Sequence, residues 1–367
     1  MVPGVERIAD LDHAWKEPRR GAQLRAVRRA AEQLRGRFAS GPRCLSVRTL
    51  PLTTLIYPTR YAFWATAFTP APFVTLTHRC VLVQFFQKGD LKNLLFNPTD
   101  VDGARATPFF ERLVEQLGHR LTDMAAKRSE PLEEQLAQFG LGPADIDYVA
   151  FDHFHMQDLR GLLGTADGER RPRFPNAKLL APRNEWEDWD DLHPCQRAWF
   201  VRDGKLNVRS ENVLLTSTDL ALGDGVMLLR TPGRTSGNQT LFLNTDTGVW
   251  GISENGTCAD SWSPLDSRIR GLAFMCKKQD LDVVLNANTP ELGSMQYTSM
   301  ILERTIVDRV RRAPAFVQMF PSSEVTPSLL APGLSPTLLH RAITHGEVCR
   351  PAARAPRAPA SAARAIA

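Results

Sequence analysis

The 367 residues are 43% hydrophobic and 23% charged, the composition of an ordinary soluble chain with ample material for a buried core. No apolar run approaches the roughly 18–20 residues of a membrane span, and residues 1–7 lack the apolar core of a secretory signal, so cytoplasm is the expected compartment. The net charge of +5 lies at the ends: residues 1–39 carry nine Lys and Arg against five Asp and Glu, and residues 350–367 four Arg and no acid. That leaves −3 on residues 40–349 and argues against a nucleic-acid groove there.

In chain order, residues 21–38 have helical composition, with Leu24, Val27, Ala31 and Leu34 on one stripe and arginines elsewhere. Residues 1–40 read as a basic helical arm, either docked by that stripe or free to meet a partner. From about 44 the chain is strand-rich, and residues 81–86, 87–90 and 91–96 read as a β-hairpin with a Gly-containing turn. Thr107-Pro108 opens a helix with an N-cap and an N1 proline; Phe110, Leu113, Val114 and Leu117 form its buried stripe, and Gly118 should stop it. A second helix spans about 131–139, and residues 146–151 form a short buried strand. After it come a strand at 177–181, a Trp-containing helix at 184–190, a strand at 226–230 and a hairpin at 240–253. A buried strand at 281–286 and a helix at about 294–312 follow. Two packed sheets with helices outside fit this order, within a main domain of residues 41–349. Residues 350–367, Ala/Pro/Arg-rich, read as a disordered tail.

The six cysteines (Cys44, Cys80, Cys195, Cys258, Cys276, Cys349) contain no CxxC pair, so a zinc ribbon or redox dithiol is not expected and they read as free thiols. The most informative segment is His153-Phe154-His155-Met156-Gln157-Asp158. Two histidines two residues apart at a strand end project to one side and can bind one cation. The other histidines carry less weight. His78, between Thr77 and Arg79, reads as a strand-surface residue; His119 suits a helix C-terminus; and His193-Pro194 reads as a loop. His340 and His345 reach the site only if the C-terminal region folds back. Trp186 and Trp189, at helical spacing, read as core. There is no GxSxG elbow, phosphate loop or dinucleotide fingerprint.

Four segments in series resemble the metallo-β-lactamase superfamily. Residues 152–161 are similar to its HxHxDH turn, and residues 174–186, with Glu185-Trp186, to a segment common among its hydrolases. Thr231-Pro232-Gly233-Arg234-Thr235 resembles its TPGHT segment, and Gly251-Ile252-Ser253-Glu254 lies where the family places a bridging aspartate. The resemblance covers roughly residues 70–300 and implies an α+β, four-layer αββα sandwich with a metal site at one sheet edge. His153 and His155 match the first two ligands. The motif's Asp and second His fall on Gln157 and Asp158, the TPGH histidine on Arg234, the bridging aspartate on Glu254 and the last histidine on Asn288.

Gln157 is neutral, and Arg234 has no lone pair and would repel a cation. The expected metal set is therefore His153, His155, Asp158 and Glu254, holding one zinc, iron or manganese ion. The rival reading has no metal and a relict hydrogen-bonded cleft. Asp158 would orient water and Arg234 would pair with an anionic group of a small-molecule substrate. These residues imply a metal-dependent hydrolase of a small ester, lactone or amide. The alternatives are a non-catalytic ligand- or partner-binding descendant of the fold, or an iron-dependent oxidoreductase. No nucleic-acid or membrane partner is expected, and the sequence leaves the oligomeric state open.

Overall fold

The computed structural model describes residues 4–329 and 331–350, so the expected tail lies outside the described residues from 351 onward. Two sheets face each other. The larger runs in the order Thr344–His345, Ser46–Pro58, Phe73–Gln87, Asp90–Phe96, Tyr148–Ala150, Lys178–Pro182 and Val213–Thr216, with Ser323–Thr326 paired to Phe73–Gln87. The smaller runs Glu6–Ile8, Asp219–Gly223, Val226–Arg230, Gln239–Thr245, Gly248–Ile252 and Met319–Phe320.

Strict alternation along the strands sets the layers. Val81, Val83, Phe85, Leu94 and Phe96 point inward to meet Val226, Leu228, Leu241 and Leu243 of the other sheet. Cys80, Leu82, Leu95, Val149 and Leu179 point outward, under helices Leu132–Gln138 and Leu159–Leu163. On the far side Met227, Leu229 and Phe242 meet helices Arg20–Ser40 and Gly293–Ile306. The result is helix, sheet, sheet, helix. Strands Asp90–Phe96, Tyr148–Ala150, Lys178–Pro182 and Val213–Thr216 pair in parallel, so the turns that follow them collect at one edge of the sandwich.

The hairpin falls where expected: Gln87 pairs with Asp90, and Lys88 and Gly89 both take positive φ (51° and 88°), as a two-residue primed turn requires. Helix Arg20–Ser40 buries Val27, Ala31 and Leu34 and forms the outer layer of the smaller sheet. Three expectations are corrected. Residues 281–286 are buried and extended but form no strand, because their amides bond to loops: Val284 N donates to Ser261 O (2.8 Å) and Asn286 N to Asn255 O (2.8 Å). Helix Gly293–Ile306 stops short of 312, and Arg309–Val310 pairs instead with Ala313–Val317. Gly118 (φ 77°) breaks the helix that begins at Pro108, but the chain resumes a helical path to Ala125.

The docking of the first long helix is testable. Val27 is fully buried, so Val27→Asp places an unpaired carboxylate between two helices. It should lower stability by about 3 kcal/mol, read by chemical denaturation.

Candidate functional site

The turn after Tyr148–Ala150 carries the site. Its path is fixed by Met156, which takes a left-handed φ of 63° while its amide donates to Trp199 O (2.7 Å). A non-glycine residue held there stores roughly 1–3 kcal/mol of strain. Phe154 N donates to the buried Glu185 carboxylate (2.6 Å), and Gly237 passes so close to Glu185 that a Cβ there would lie 2.5 Å away. Glu185 thus anchors the His153 turn next to the loop that carries Arg234. Burial raises its pKa, although His153 and Thr235 pull it down.

His153 and His155 are both buried, with ring centroids 4.5 Å apart. His153 Nδ1 lies 2.7 Å from Asp152 Oδ1; a carboxylate only accepts, so the ring carries a proton on Nδ1 and leaves Nε2 to the cleft. His155 Nε2 lies 2.6 Å from Gln196 Oε1. The Gln196 amide nitrogen donates to Arg234 O (3.0 Å) and Glu291 Oε1 (2.7 Å), which fixes its oxygen toward the ring. His155 is therefore protonated on Nε2 and has its lone pair on Nδ1. Neither His153 Nε2 nor His155 Nδ1 has a protein partner, and both are buried. Burial, then His153 and Arg234, push the His155 pKa well down, so its imidazole is neutral at pH 7.

Glu254 completes the floor. Its Oε1 accepts from Ser323 Oγ (2.6 Å) and lies 3.6 Å from His78 Nδ1. Burial would raise its pKa, but His78, His153 and Arg234 hold it down to about 2. Donor atoms of Asp152, His153 and Glu254 lie within 4.8 Å of one another. Because Asp152 already binds His153 Nδ1, it serves best as the carboxylate that orients the ring, with Nε2 left to the cleft.

Arg234 lines the same cleft and is 4% exposed. Its Nη1 donates to Tyr57 Oη (3.3 Å), its Nε has no partner, and among the described residues no carboxylate lies within salt-bridge distance. The Tyr57 hydroxyl in turn donates to Asn286 Oδ1 (2.7 Å). Burial pushes the Tyr57 pKa up to about 12 against the pull of Arg234, so it remains a phenol.

The structure brings His153, His155 and Glu254 to one cleft and sets Asp158 apart. Asp158 faces away from the cleft, capping helix Leu159–Leu163 through Arg160 N (3.1 Å). Its carboxylate is also claimed by the Arg160 guanidinium (2.7 Å) and Arg170 (3.2 Å). Its oxygens are turned to these donors rather than to the cleft. Gln157 does line the cleft: its Nε2 donates to Thr99 Oγ1 (3.0 Å) and its Oε1 has no partner. Asn288 lies in an adjoining pocket with Cys195 and Trp199. His78 is not a surface residue. It is 7% exposed, bonded to Ser323 and Thr99 (both 2.8 Å), and belongs to the site. The alternation Val74, Leu76, His78, Cys80, Leu82 already placed it on an apolar face. Tyr57 and Gln196 carry no sequence signal of their own, since only tertiary packing brings them here.

The cleft has about 1110 Å³ of empty space, counted to its open mouth. Beyond the polar floor it is apolar, walled by Ile56, Leu76, Val101 and, from the helix that begins at Pro108, Phe109, Phe110 and Leu113. Phe109 stacks on Trp199 (centroids 4.5 Å) at its rim.

The turn at 152–158, the Arg234 loop and the Glu254 loop thus converge at one edge of an αββα sandwich. That placement is the one the resemblance to the metallo-β-lactamase superfamily implies. No protein-family model and no curated protein matches the sequence. Solved structures of similar fold include a probable metal-dependent hydrolase from Staphylococcus aureus, at 16% identity over 70% of this chain and 82% of that one, TM-score 0.49. A quorum-quenching N-acyl homoserine lactone lactonase matches at 19% identity over 65% and 87%, TM-score 0.44. A dizinc quorum-quenching lactonase matches at 11% identity over 69% and 80%, TM-score 0.45.

The loops of this site rest on a buried acid. Glu303, on helix Gly293–Ile306, accepts from Asn255 Nδ2 and Thr240 Oγ1 through Oε1, and from Trp262 Nε1 through Oε2 (all 2.8 Å). Asn255 Nδ2 also reaches Thr231 O (3.3 Å), tying the Glu254 and Arg234 loops together. Burial among neutral donors raises the Glu303 pKa from 4.5 to about 7. The folded state then keeps a proton that the unfolded chain loses near 4.5. The stability from that proton is full at lower pH and is lost as pH rises through about 7. Denaturation at about pH 5 and about pH 8 should show a loss on the order of 3 kcal/mol, and Glu303→Gln should flatten that dependence.

Proposed function

We propose that the cleft holds one divalent cation (zinc, iron or manganese) and hydrolyses a small ester, lactone or amide. The observation that carries this reading is the pair of buried imidazoles whose cleft-side nitrogens, His153 Nε2 and His155 Nδ1, have no protein partner, with His155 held neutral by burial. Buried polar atoms without partners are rare, and several in one cavity argue for an occupant. Here Asp152 Oδ2, Gln157 Oε1 and Arg234 Nε share that state.

The donor set suits such a cation. His153 and His155 would hold it, with Glu254 as the anionic ligand and Asp152 and Gln196 fixing the two tautomers. Its chemistry there would be to acidify water and polarise an acyl oxygen. The other groups divide the remaining work. Arg234, a buried cation with unspent donors, binds the anionic or carbonyl oxygen of the substrate. Tyr57, held as a phenol, positions the Arg234 guanidinium. The walls at Phe109, Phe110 and Leu113 take an apolar substituent and exclude water.

A second reading, a non-catalytic binder, draws on Arg234 itself, because a permanent cation where the family has an imidazole opposes metal binding. Its strongest support would have been an ion pair between Arg234 and Glu254 closing the site, and none forms.

Elemental analysis of the purified protein separates the two. About one equivalent of zinc or manganese, lost in His153→Ala, is expected. Iron together with oxygen-dependent turnover would point to an oxidoreductase, and no metal after reconstitution to a binder. Arg234→His removes a positive charge and adds an imidazole, so it should tighten the metal at least about tenfold in competition with a chromophoric chelator.

A further inference from the structure

Outside the cleft floor, His193, Cys195 and Glu291 form a group with the composition of a metal site. Each offers one donor atom, and the three atoms lie within 4.8 Å of one another at the surface. They come from two segments far apart in sequence. His193 and Cys195 are two residues apart in the turn before Trp199, shaped by Gln196 N donating to His193 O (2.8 Å) and Cys195 N to His193 Nδ1 (3.3 Å). Glu291 belongs to the single turn Pro290–Leu292, its Oε1 3.8 Å from His193 Nδ1. A thiolate, an imidazole and a carboxylate are the donors zinc takes, and around a tetrahedral ion they stand about 3.3–3.8 Å apart.

We propose that His193, Cys195 and Glu291 form a second cation site, for zinc or a similar thiophilic divalent ion, with water as the fourth ligand. Binding forms a sulfur–metal bond and releases the thiol proton to solvent. The site does not depend on what the cleft floor holds, but it is wired to it. Gln196 Nε2 donates to Glu291 Oε1 (2.7 Å), and Gln196 Oε1 accepts from His155 Nε2 (2.6 Å). An ion at the rim fastens the loop of Trp199 to the loop of Asn288. It also holds the Glu291 carboxylate that orients the Gln196 amide, and so keeps the His155 proton on Nε2.

The test is a cobalt(II) titration of the metal-free full chain, followed by near-ultraviolet absorption. A thiolate-to-cobalt charge-transfer band is expected, retained in His153→Ala and in Cys349→Ser and lost in Cys195→Ser. His193→Ala and Glu291→Gln should each weaken the cobalt affinity read from that band by about tenfold or more. The proposal is overturned by any of three results: no thiolate band in the wild type, a band that persists in Cys195→Ser, or an affinity unchanged in both His193→Ala and Glu291→Gln. The last would leave a thiol acting alone. Cys195 is exposed, so its serine variant keeps the fold.

Discussion

The Asp152 carboxylate and the Gln196 amide each engage one nitrogen of a buried imidazole, and the chemistry of the cleft depends on which nitrogen each leaves free. Were Asp152 apolar, the His153 ring could turn or change tautomer. Were Gln196 reversed, its NH2 would face His155 Nε2 and move the proton to Nδ1, the position now bare. Both orienting groups are themselves held. Asp152 N donates to Asn97 Oδ1 (3.0 Å), and the Gln196 NH2 is spent on Arg234 O and Glu291. Preorganisation here comes from a ring of neutral and anionic acceptors behind the imidazoles, built before any ligand arrives.

Arg234 changes the electrostatic balance of the floor. In a site with a third imidazole, the charge of bound metal is offset mainly by carboxylates. Here one fixed positive charge is already present, and the carboxylates that line the cleft are Asp152, turned to His153, and Glu254. The same guanidinium depresses the pKa values of Glu254 and His155 and opposes the rise that burial imposes on Tyr57. These three shifts all favour a neutral imidazole, an ionised glutamate and an intact phenol over a wide pH range. The field that weakens cation binding also keeps His155 and Glu254 in their binding-competent forms.

Much of the fold was legible because alternation and turn chemistry are local. The 81–96 hairpin, the strand at 226–230, the capped helix at Thr107 and the apolar stripe of the first long helix follow from period and punctuation. Residues 281–286 misled because burial alone does not distinguish a strand from an extended segment whose amides bond to loops. At the site, motif order marked His153, His155, Arg234 and Glu254, which the fold brings to one cleft. It sets Asp158 apart, since an acid at a helix N-cap serves the first turn and its nearby arginines before it serves a cleft. His78 was misread from its two polar neighbours, although residues two positions away on either side gave its true face. Tyr57 and Gln196 come from segments with no motif, and only the packed sandwich shows that they touch the machinery.

Helix Arg20–Ser40 has a consequence beyond its own packing. Its stripe covers Met300 and Ile301 on helix Gly293–Ile306, the same helix whose Glu303 braces the Glu254 and Arg234 loops. A chain beginning at residue 41 would keep every residue of the cleft yet lose the cover of that helix. Apolar surface of this kind is the sort through which molecules self-associate. The segment up to residue 40 therefore bears on solubility and loop bracing together, though among the described residues 4–40 none lines the cleft.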